Sequence, residues 1–514
     1  MAFLILRTHD LFAVDGAVRA FFVFHDGHAS FAGTNHMLYP VWIFVWTRTL
    51  GHFGFDVSTP VSFIQTAQAM NGFFAAGTGT SLFVAATLLK IRSSAAVVAS
   101  IGWSFSYAVL LHATNSAEPM AGMLFASVAW AVVVWACVNS RKWYWFIVPG
   151  LLLALAMASY QAMVFMGLGC VVTSFSWVDG ENWDPRRGFA RTCAISAAFI
   201  IGLLGIYGTA YYLQGIRDFH AGLHAFLTSP GRDVYGHFSL SRVMNLSSGF
   251  VGNVVRSLPT GFAGYRSLFH NYAAWIPWFA TISVLLLGIC VLQLRAVVGH
   301  WRKLPDPAKA AISGCVATLL LWIVLLCYWD PNYSKFWIQP IWSLFMIGIV
   351  IFKFSNSRFM AVLSGLVVAL IVIVDCTAAI SATRKTWEDL DEASRVQQFV
   401  AKNDTVVIGW EPVSILYRTI WAPETTFDFP ARMCVQRGAV ESLLNEMQTS
   451  TQERHGRVFF LGVLDMPKST WEPFLGNRCG VAYSALDKYR QRAEVVEKFR
   501  SGSGETILYS IPQQ

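Results

Sequence analysis

Two acidic residues in polar segments are the strongest candidates for chemistry in this chain. Asp15 lies in a polar N-terminal stretch, and Glu118, the only glutamate among the first 180 residues, is followed directly by a proline. A carboxylate at either position could serve as a general base that takes a proton from a hydroxyl group. The plainer alternatives are a solvated loop residue for Asp15 and, for Glu118, a carboxylate favoured by the dipole at a helix start.

Basic residues that could hold an anionic ligand lie in two later segments. Lys335 stands beside Tyr333, Phe336 and Trp337. Such a lysine either binds a phosphate group or extends from an aromatic belt to the membrane surface. The segment 214–270 suggests an anionic ligand because it is rich in arginine, although any folded loop carries surface arginines. Its arginines are Arg217, Arg232, Arg242, Arg256 and Arg266.

The low content of charge indicates which elements must position these residues. Charged residues make up 13% of the chain, against about 25% in soluble domains. Residues 385–514 hold 15 basic and 17 acidic residues, whereas residues 1–384 hold only 23 and 13. The 55% hydrophobic content excludes disorder and collagen-like structure. The sequence therefore predicts an α-helical polytopic membrane domain over 1–384 and a soluble α/β domain over 385–514.

Ten apolar runs reach, or nearly reach, the roughly 20 residues that a membrane span needs. They cover 59–88, 93–113, 119–138, 143–158, 159–177, 190–213, 271–294, 309–329, 335–354 and 358–380. The stretch 142–177 is predicted as two short helices that meet near 159–161, with one long kinked helix as the alternative. We also expect an eleventh helix, the first of the fold, to be missing upstream or to survive only as residues 3–6.

Alternate connections between these runs are rich in Lys and Arg, which places them in the cytoplasm. The outer loops are then 1–58, 114–118, 214–270 and 330–334, and the C-terminal domain shares their side of the membrane. This alternation of cytoplasmic and outer loops requires that residues 35–51 form an interfacial helix that does not cross the membrane. We therefore expect an integral protein of the inner (plasma) membrane, with a basic excess that serves topology rather than nucleic-acid binding.

Cysteine spacing favours no metal site in this chain. Seven of the nine cysteines fall in or beside apolar runs, as small buried side chains usually do. Cys434 and Cys479 are the only two in the C-terminal domain, and in an oxidising compartment they either form a disulfide or stay apart. That domain alternates helical and strand-like segments, with strands predicted at 405–409, 458–462 and 505–511. The chain has no phosphate-binding glycine loop.

The outer segments resemble those of the lipid-sugar-dependent membrane glycosyltransferases of the C superfamily. That family includes protein O-mannosyltransferases and lipid A aminoarabinose transferases. The matching features are Asp15 in the first outer loop, the element His36-Met37-Leu38-Tyr39 that opens a juxtamembrane helix, and Glu118 in the next outer loop. Three departures are visible. Many relatives carry Asp-Glu in the first loop, whereas Asp15 and Asp26 are each followed by glycine, so Asp26 stays open as the alternative base. Many relatives carry His-Pro-Pro where this chain has Asn35-His36-Met37, and the first transmembrane helix of the family is absent or vestigial.

The resemblance implies transfer of a sugar from a polyprenyl-phosphate donor to a hydroxyl of an envelope lipid, glycan or protein. A carboxylate base, Asp15, would give inversion at the anomeric carbon, and Glu118 would position the acceptor or assist. The departing phosphate needs no general acid but does need cations to hold it. Tyr333, Lys335, Arg217, Arg256 and Arg266 are the candidates for that task. No cofactor, metal or nucleic acid is implied.

The two residues of the juxtamembrane element have two interpretations. His36 and Tyr39 either orient the acceptor or the aspartate, or they cap and anchor the helix that follows. The C-terminal domain would recognise the acceptor or pack over the active-site cavity.

Two other functions compete with sugar transfer. A transporter or flippase of lipid-linked sugars should carry ionisable residues deep within its spans and internal repeats. A catalytically inactive scaffold, whose exported domain binds partners, is the third possibility.

Overall fold

The computed structural model describes most of the chain. The described residues are 14–27, 36–178, 183–215, 217–218, 220, 238, 240–256, 272–328, 334–355, 358–383, 388–409, 412–421, 426–435, 440–476, 479–501 and 504–512. Arg232, Arg266 and Tyr333 lie outside these ranges, and of Asp15 only the backbone is described.

Helices make up the first part of the chain, as its apolar runs predict. In chain order they are α1 (Val14–Asp26), α2 (Tyr39–His52), α3 (Pro60–Leu88), α4 (Ser93–Phe105), α5 (Tyr107–Ala113), α6 (Pro119–Val138), α7 (Ile147–Ser159), α8 (Val164–Phe175), α9 (Pro185–Leu213), α10 (Leu240–Val254), α11 (Tyr272–His300), α12 (Asp306–Tyr328), α13 (Ile338–Ser355) and α14 (Arg358–Thr383). Each of the ten apolar runs coincides with one or two of these helices.

Six helices of the described part are long and apolar enough to cross a membrane. They are Pro119–Val138, Pro185–Leu213, Pro277–Ala296, Asp306–Tyr328, Ser334–Lys353 and Val362–Ile380. The pair α4 and α5, bent by 65°, makes a seventh if it counts as one span. The protein is therefore an integral membrane protein, and the larger count of ten or eleven spans stays a prediction for the other helices.

The stretch 142–177 folds as two helices. α7 ends at Ser159, Tyr160 is extended, and a 3-10 turn at Gln161–Met163 leads into α8. Both helices are shorter than a full span. The interfacial segment predicted over 35–51 forms α2, whose 14 residues fall short of the roughly 20 that a span needs.

A five-stranded sheet organises the C-terminal domain. Its helices and strands are α15 (Glu388–Val396), β1 (Thr405–Ile408), α16 (Pro412–Leu416), β2 (Thr426–Asp428), α17 (Phe429–Val435), α18 (Val440–Glu453), β3 (Val458–Leu461), α19 (Lys468–Trp471), α20 (Asp487–Arg490), β4 (Glu494–Ser501) and β5 (Gly504–Ile511). The strand order is β2-β1-β3-β5-β4, in which β1 pairs in parallel with β2 and β3, and β5 runs antiparallel to β3 and β4.

The α/β class of this domain agrees with the sequence pattern, which nevertheless predicts only three of the strands. The pattern misses β2, which has three residues, and β4, which contains four charged residues. β4 is an edge strand, and charged residues on an edge discourage pairing with other chains. Because of these charged residues, a search for apolar runs does not detect the strand.

The C-terminal domain packs against α1. A single apolar core joins Phe21 of α1 and Ile43 of α2 to Leu416 and Tyr417 beside the sheet. Phe24, also on α1, meets Phe63 of α3 edge to face at 5.2 Å. Helix α1 therefore lies between the membrane helices and the C-terminal domain.

The prediction of buried cysteines in the membrane part is correct for four of the seven. Cys137, Cys170, Cys315 and Cys327 are buried, Cys290 and Cys376 are half-buried, and Cys193 is exposed. In the C-terminal domain, Cys479 is disulfide-bonded. Cys434 lies in α17, and its side chain is outside the described part. Its pairing with Cys479 therefore stays a prediction.

Candidate active site

Glu118 lies at the start of α6 with Pro119 directly after it. Its side chain makes no capping hydrogen bond to the helix. Instead, Arg19 Nε donates to Glu118 Oε1 at 3.3 Å, with 3% of the Glu118 side chain and 22% of the Arg19 side chain exposed. An ion pair with a guanidinium restricts the position of a buried carboxylate more than the dipole at a helix start does.

The pair connects the two segments that carry the predicted carboxylates. Arg19 is one helical turn after Asp15 on α1, and residues four apart lie on the same side of a helix. The N-terminal half of α1 and the start of α6 therefore lie on the same side of the membrane domain. This is the proximity that the topology argument requires.

Tyr39 belongs to the same polar region. Its hydroxyl lies 3.2 Å from Ser116 Oγ, and Asn71 Nδ2 donates to the Tyr39 oxygen at 3.2 Å. Asn71 Nδ2 also donates to the carbonyls of Asn115 and Ala117, both at 2.9 Å. The loop before Glu118 is thus held by a polar side chain from the middle of α3. We call Arg19, Tyr39, Asn71, Ser116 and Glu118 the Glu118 cluster.

Burial raises the pKa of Tyr39, and the neighbouring Glu118 carboxylate adds to that rise although the Ser116 hydrogen bond opposes it. The phenol therefore keeps its proton at neutral pH and can donate a hydrogen bond. Leu38 is the N-cap residue of α2, and its side chain makes no capping hydrogen bond. The Tyr39 hydroxyl lies in the Glu118 cluster, and its role with the acceptor or the aspartate stays a prediction.

His36 lies at the break between α7 and α8. Its ring stacks on Tyr160 with centroids 5.2 Å apart and an interplanar angle of 8°. Nearby, Leu38 N donates to Ala158 O at 3.0 Å, and Trp42 Nε1 donates to Ser159 Oγ at 2.9 Å. The entry to α2 therefore contacts this break, and both interpretations of His36 stay predictions.

Lys335 lies on a 3-10 turn, Ser334–Phe336, directly before α13. Its ammonium is 5.8 Å from the centre of the Phe336 ring. Ser334 Oγ is 2.9 Å from His112 Nε2, and His112 ends the helix that leads into the loop before Glu118. The turn with Lys335 is thus connected to the Glu118 segment through one buried contact.

Two of the predicted phosphate-binding arginines, Arg217 and Arg256, lie in the described part of the long loop. Arg217 is exposed, above the Tyr212 ring at 5.9 Å. Arg256 N donates to Asp375 Oδ1 at 2.8 Å, and Trp278 Nε1 donates to Arg256 O at 3.1 Å. The role of these two arginines with a phosphate stays a prediction.

Sequence reasoning misses several residues of the site. Arg19, Asn71 and His112 are not predicted by the sequence pattern. Outside the site, the pattern also misses Asp375, which is fully buried in a candidate span. The available signal was their position, because polar residues inside apolar helices are costly and are retained for contacts or function.

A cavity of about 280 Å³ lies away from the Glu118 cluster. It is lined by α4, α10, α11, α13 and α14, and its side chains are apolar except at a few positions such as Gln293. It contains none of the predicted site residues. Within the described residues, no group of three or more His, Cys, Asp or Glu side chains is placed to hold a metal ion.

No family model and no curated protein matches the sequence. Among solved structures, the chain is similar to ArnT from Cupriavidus metallidurans bound to undecaprenyl phosphate, with 11% identity and a TM-score of 0.56. That likeness covers 100% of this chain and 97% of the other. The apo state of the same ArnT matches over the same shares, with 12% identity and a TM-score of 0.44. The first of these likenesses, over the whole chain, shows that the protein has a fold similar to that of this ArnT.

Proposed function

We propose that this protein is a membrane glycosyltransferase that moves a sugar from a polyprenyl-phosphate donor to a hydroxyl group of an envelope lipid, glycan or protein. The observation that carries the proposal is the Arg19–Glu118 pair. It holds the helix that contains Asp15 against a buried polar cluster. The shared fold supports the donor class, because that ArnT structure contains undecaprenyl phosphate. A donor whose tail stays in lipid also explains why the enzyme is embedded in the membrane.

The chemistry needs one base and at least one cation. Asp15 accepts the proton of the acceptor hydroxyl while that oxygen attacks the anomeric carbon. The bond from the anomeric carbon to the phosphate oxygen breaks through an oxocarbenium-like state. The polyprenyl phosphate leaves with the bonding electron pair and is held by Lys335. Attack from the face opposite the phosphate inverts the anomeric centre.

Glu118 takes a supporting role in this scheme. Its carboxylate is nearly inaccessible and is already paired with Arg19. A general base must instead reach the hydroxyl whose proton it removes. We therefore assign the proton transfer to Asp15, and we assign to Glu118 the positioning of α1 through Arg19.

Transport of lipid-linked sugars is the second candidate function. One observation favours it, namely that Asp375 is fully buried inside the candidate span Val362–Ile380. Ionisable residues at such depth are frequent on transport pathways. Asp375, however, accepts a hydrogen bond from the backbone of Arg256, which gives it a structural use as well.

The test is sugar transfer from polyprenyl-phosphate donors by the full-length protein in purified membranes, comparing wild type with Asp15→Asn. We expect the variant to lose about a hundredfold to ten-thousandfold in rate, because a positioned general base contributes that much. Asp26→Asn is the matched control, since Asp26 ends the same helix.

The transfer rates of the two variants identify the base or reject the proposal. Full transfer by Asp15→Asn together with loss in Asp26→Asn moves the base to Asp26. Transfer that survives both changes removes the aspartate base from the mechanism. If wild type transfers no sugar while lipid-linked sugar crosses sealed vesicles, the transport function replaces this proposal.

A further inference from the structure

His112 and Ser334 form a buried contact between the two regions that the proposed reaction requires. His112 Nε2 lies 2.9 Å from Ser334 Oγ, and 4% of His112 and 8% of Ser334 are exposed. The two residues are far apart in sequence, one at the end of α5 and the other directly before Lys335. A buried side-chain hydrogen bond of this kind fixes the relative position of the segments that it joins.

The bent helix pair explains how His112 reaches the turn. α4 and α5 meet at Ser106 with a 65° bend. On α4, Trp103 Nε1 donates to Ile338 O, the first residue of α13, at 3.2 Å. On α5, His112 holds Ser334 four residues earlier. The two arms of the bend therefore hold the same helix start on both sides of Lys335.

The second ring nitrogen of His112, Nδ1, offers no alternative to the contact with Ser334. Nδ1 is buried and has no hydrogen-bond partner in the described structure. The contact with Ser334 is therefore the only hydrogen bond that the structure gives to this ring. A buried polar ring with one partner is sensitive to the loss of that partner.

We infer that His112 is a positioning residue for the donor phosphate, acting through Ser334 to set the place of the Lys335 ammonium relative to Glu118. This inference rests on the proposed function, in which Lys335 holds the phosphate. Catalytic groups lose much of their effect when displaced by as little as 1 Å. The hydrogen bond is thus expected to matter more for donor binding than for stability.

The test compares His112→Leu, His112→Gln and Ser334→Ala in the full-length protein. His112→Leu and Ser334→Ala should each raise the KM for the donor about tenfold, with the KM for the acceptor unchanged, since only the phosphate site shifts. His112→Gln should restore most of the donor affinity because its amide nitrogen can occupy the place of Nε2. The double variant should be no worse than either single variant, since both remove the same contact.

Thr451→Val is the control for the general effect of losing a buried hydrogen bond. It removes a buried hydrogen bond between Thr451 Oγ1 and Thr405 Oγ1, 2.6 Å long, in the C-terminal domain. It should leave the donor KM at the wild-type value. An unchanged donor KM in His112→Leu, additive effects in the double variant, or equal defects in His112→Gln and His112→Leu would each overturn the inference while sugar transfer by wild type stands.

Binding of polyprenyl phosphate alone separates this inference from the proposed function. If wild type transfers no sugar but binds polyprenyl phosphate, weaker binding in His112→Leu than in Thr451→Val supports the positioning role. Equal binding in these two variants, or no binding in wild type, overturns it.

Discussion

The Arg19–Glu118 pair shows how the surroundings of one residue assign its role. Glu118 is nearly inaccessible, whereas about a fifth of the Arg19 side chain reaches the surface. Water can reach the guanidinium when Glu118 is removed, but it hardly reaches the carboxylate when Arg19 is removed. The two members of the pair are therefore not equivalent, although each contributes one charge.

We predict that Arg19→Leu lowers stability more than Glu118→Gln. Removing Arg19 leaves a buried unpaired carboxylate, at a cost of about 3–5 kcal/mol. Glu118→Gln leaves a partly solvated cation, at about 1–3 kcal/mol. The midpoints of thermal unfolding of the purified proteins in detergent show which of the two variants is less stable.

The double variant Arg19→Leu/Glu118→Gln is the control, and it should recover part of the loss because no buried charge remains unpaired. Equal midpoints for the two single variants would show that the pair is more exposed than its contacts indicate.

At the scale of the elements, α8 and α12 approach each other closely through small residues. A Cβ atom at Gly314 would overlap the carbonyl oxygen of Gly169 and the hydroxyl of Thr173. A Cβ atom at Gly169 would in turn overlap Thr318 Oγ1 and lie 3.0 Å from the Gly314 carbonyl. Both helices place a glycine and a threonine four residues apart at the crossing, the small-residue pattern that lets membrane helices pack backbone to backbone.

We predict that Gly314→Ala destabilises the protein by about 1–3 kcal/mol, because the added methyl group meets backbone atoms that cannot move aside. Thermal unfolding in detergent measures the effect. The control is Gly205→Ala on α9, where an added Cβ meets nothing within 4 Å. That change should be neutral or stabilising by up to about 1 kcal/mol, since alanine favours helix more than glycine. A midpoint for Gly314→Ala equal to that of Gly205→Ala would contradict the close crossing.

At the scale of the whole molecule, α1 contacts both parts of the protein. It packs on the C-terminal domain through one apolar core and on the membrane domain through Arg19. The C-terminal domain therefore lies on the same face as the Glu118 cluster. A domain in this place can cover the site or present an acceptor to it.

The sidedness of that face is open to a direct test. Glu441, with 77% of its side chain exposed, belongs to the C-terminal domain, and exposed Lys142 belongs to a basic connection. In sealed right-side-out vesicles, a membrane-impermeant thiol reagent should label Glu441→Cys but not Lys142→Cys, because basic connections stay in the cytoplasm.

The labelling needs a Cys193→Ser background, since Cys193 is free and exposed. Lys142→Cys should become reactive once detergent opens the vesicles. Labelling of Lys142→Cys in intact vesicles would reverse the topology.

Charge content and apolar runs were sufficient to predict the fold class, because hydrophobicity over about 20 residues is a local property of the chain. The two helices of 142–177 and the α/β class of the C-terminal domain followed in the same way. The short strand β2 and the charged edge strand β4 did not, since their pairing depends on neighbours distant in sequence.

The residues of the candidate site likewise fall into two groups, those that the sequence predicts and those that only the tertiary structure reveals. Glu118 and Tyr39 could be selected from the sequence because residue type and position near a helix start are local signals. The partners of these two residues, Arg19 and Asn71, could not, and neither could the contact of His112 with Ser334. Each of these contacts joins segments separated by tens to hundreds of residues. Only the packing of the helices brings such segments together, since a buried polar group is satisfied by whichever partner the tertiary structure places within reach.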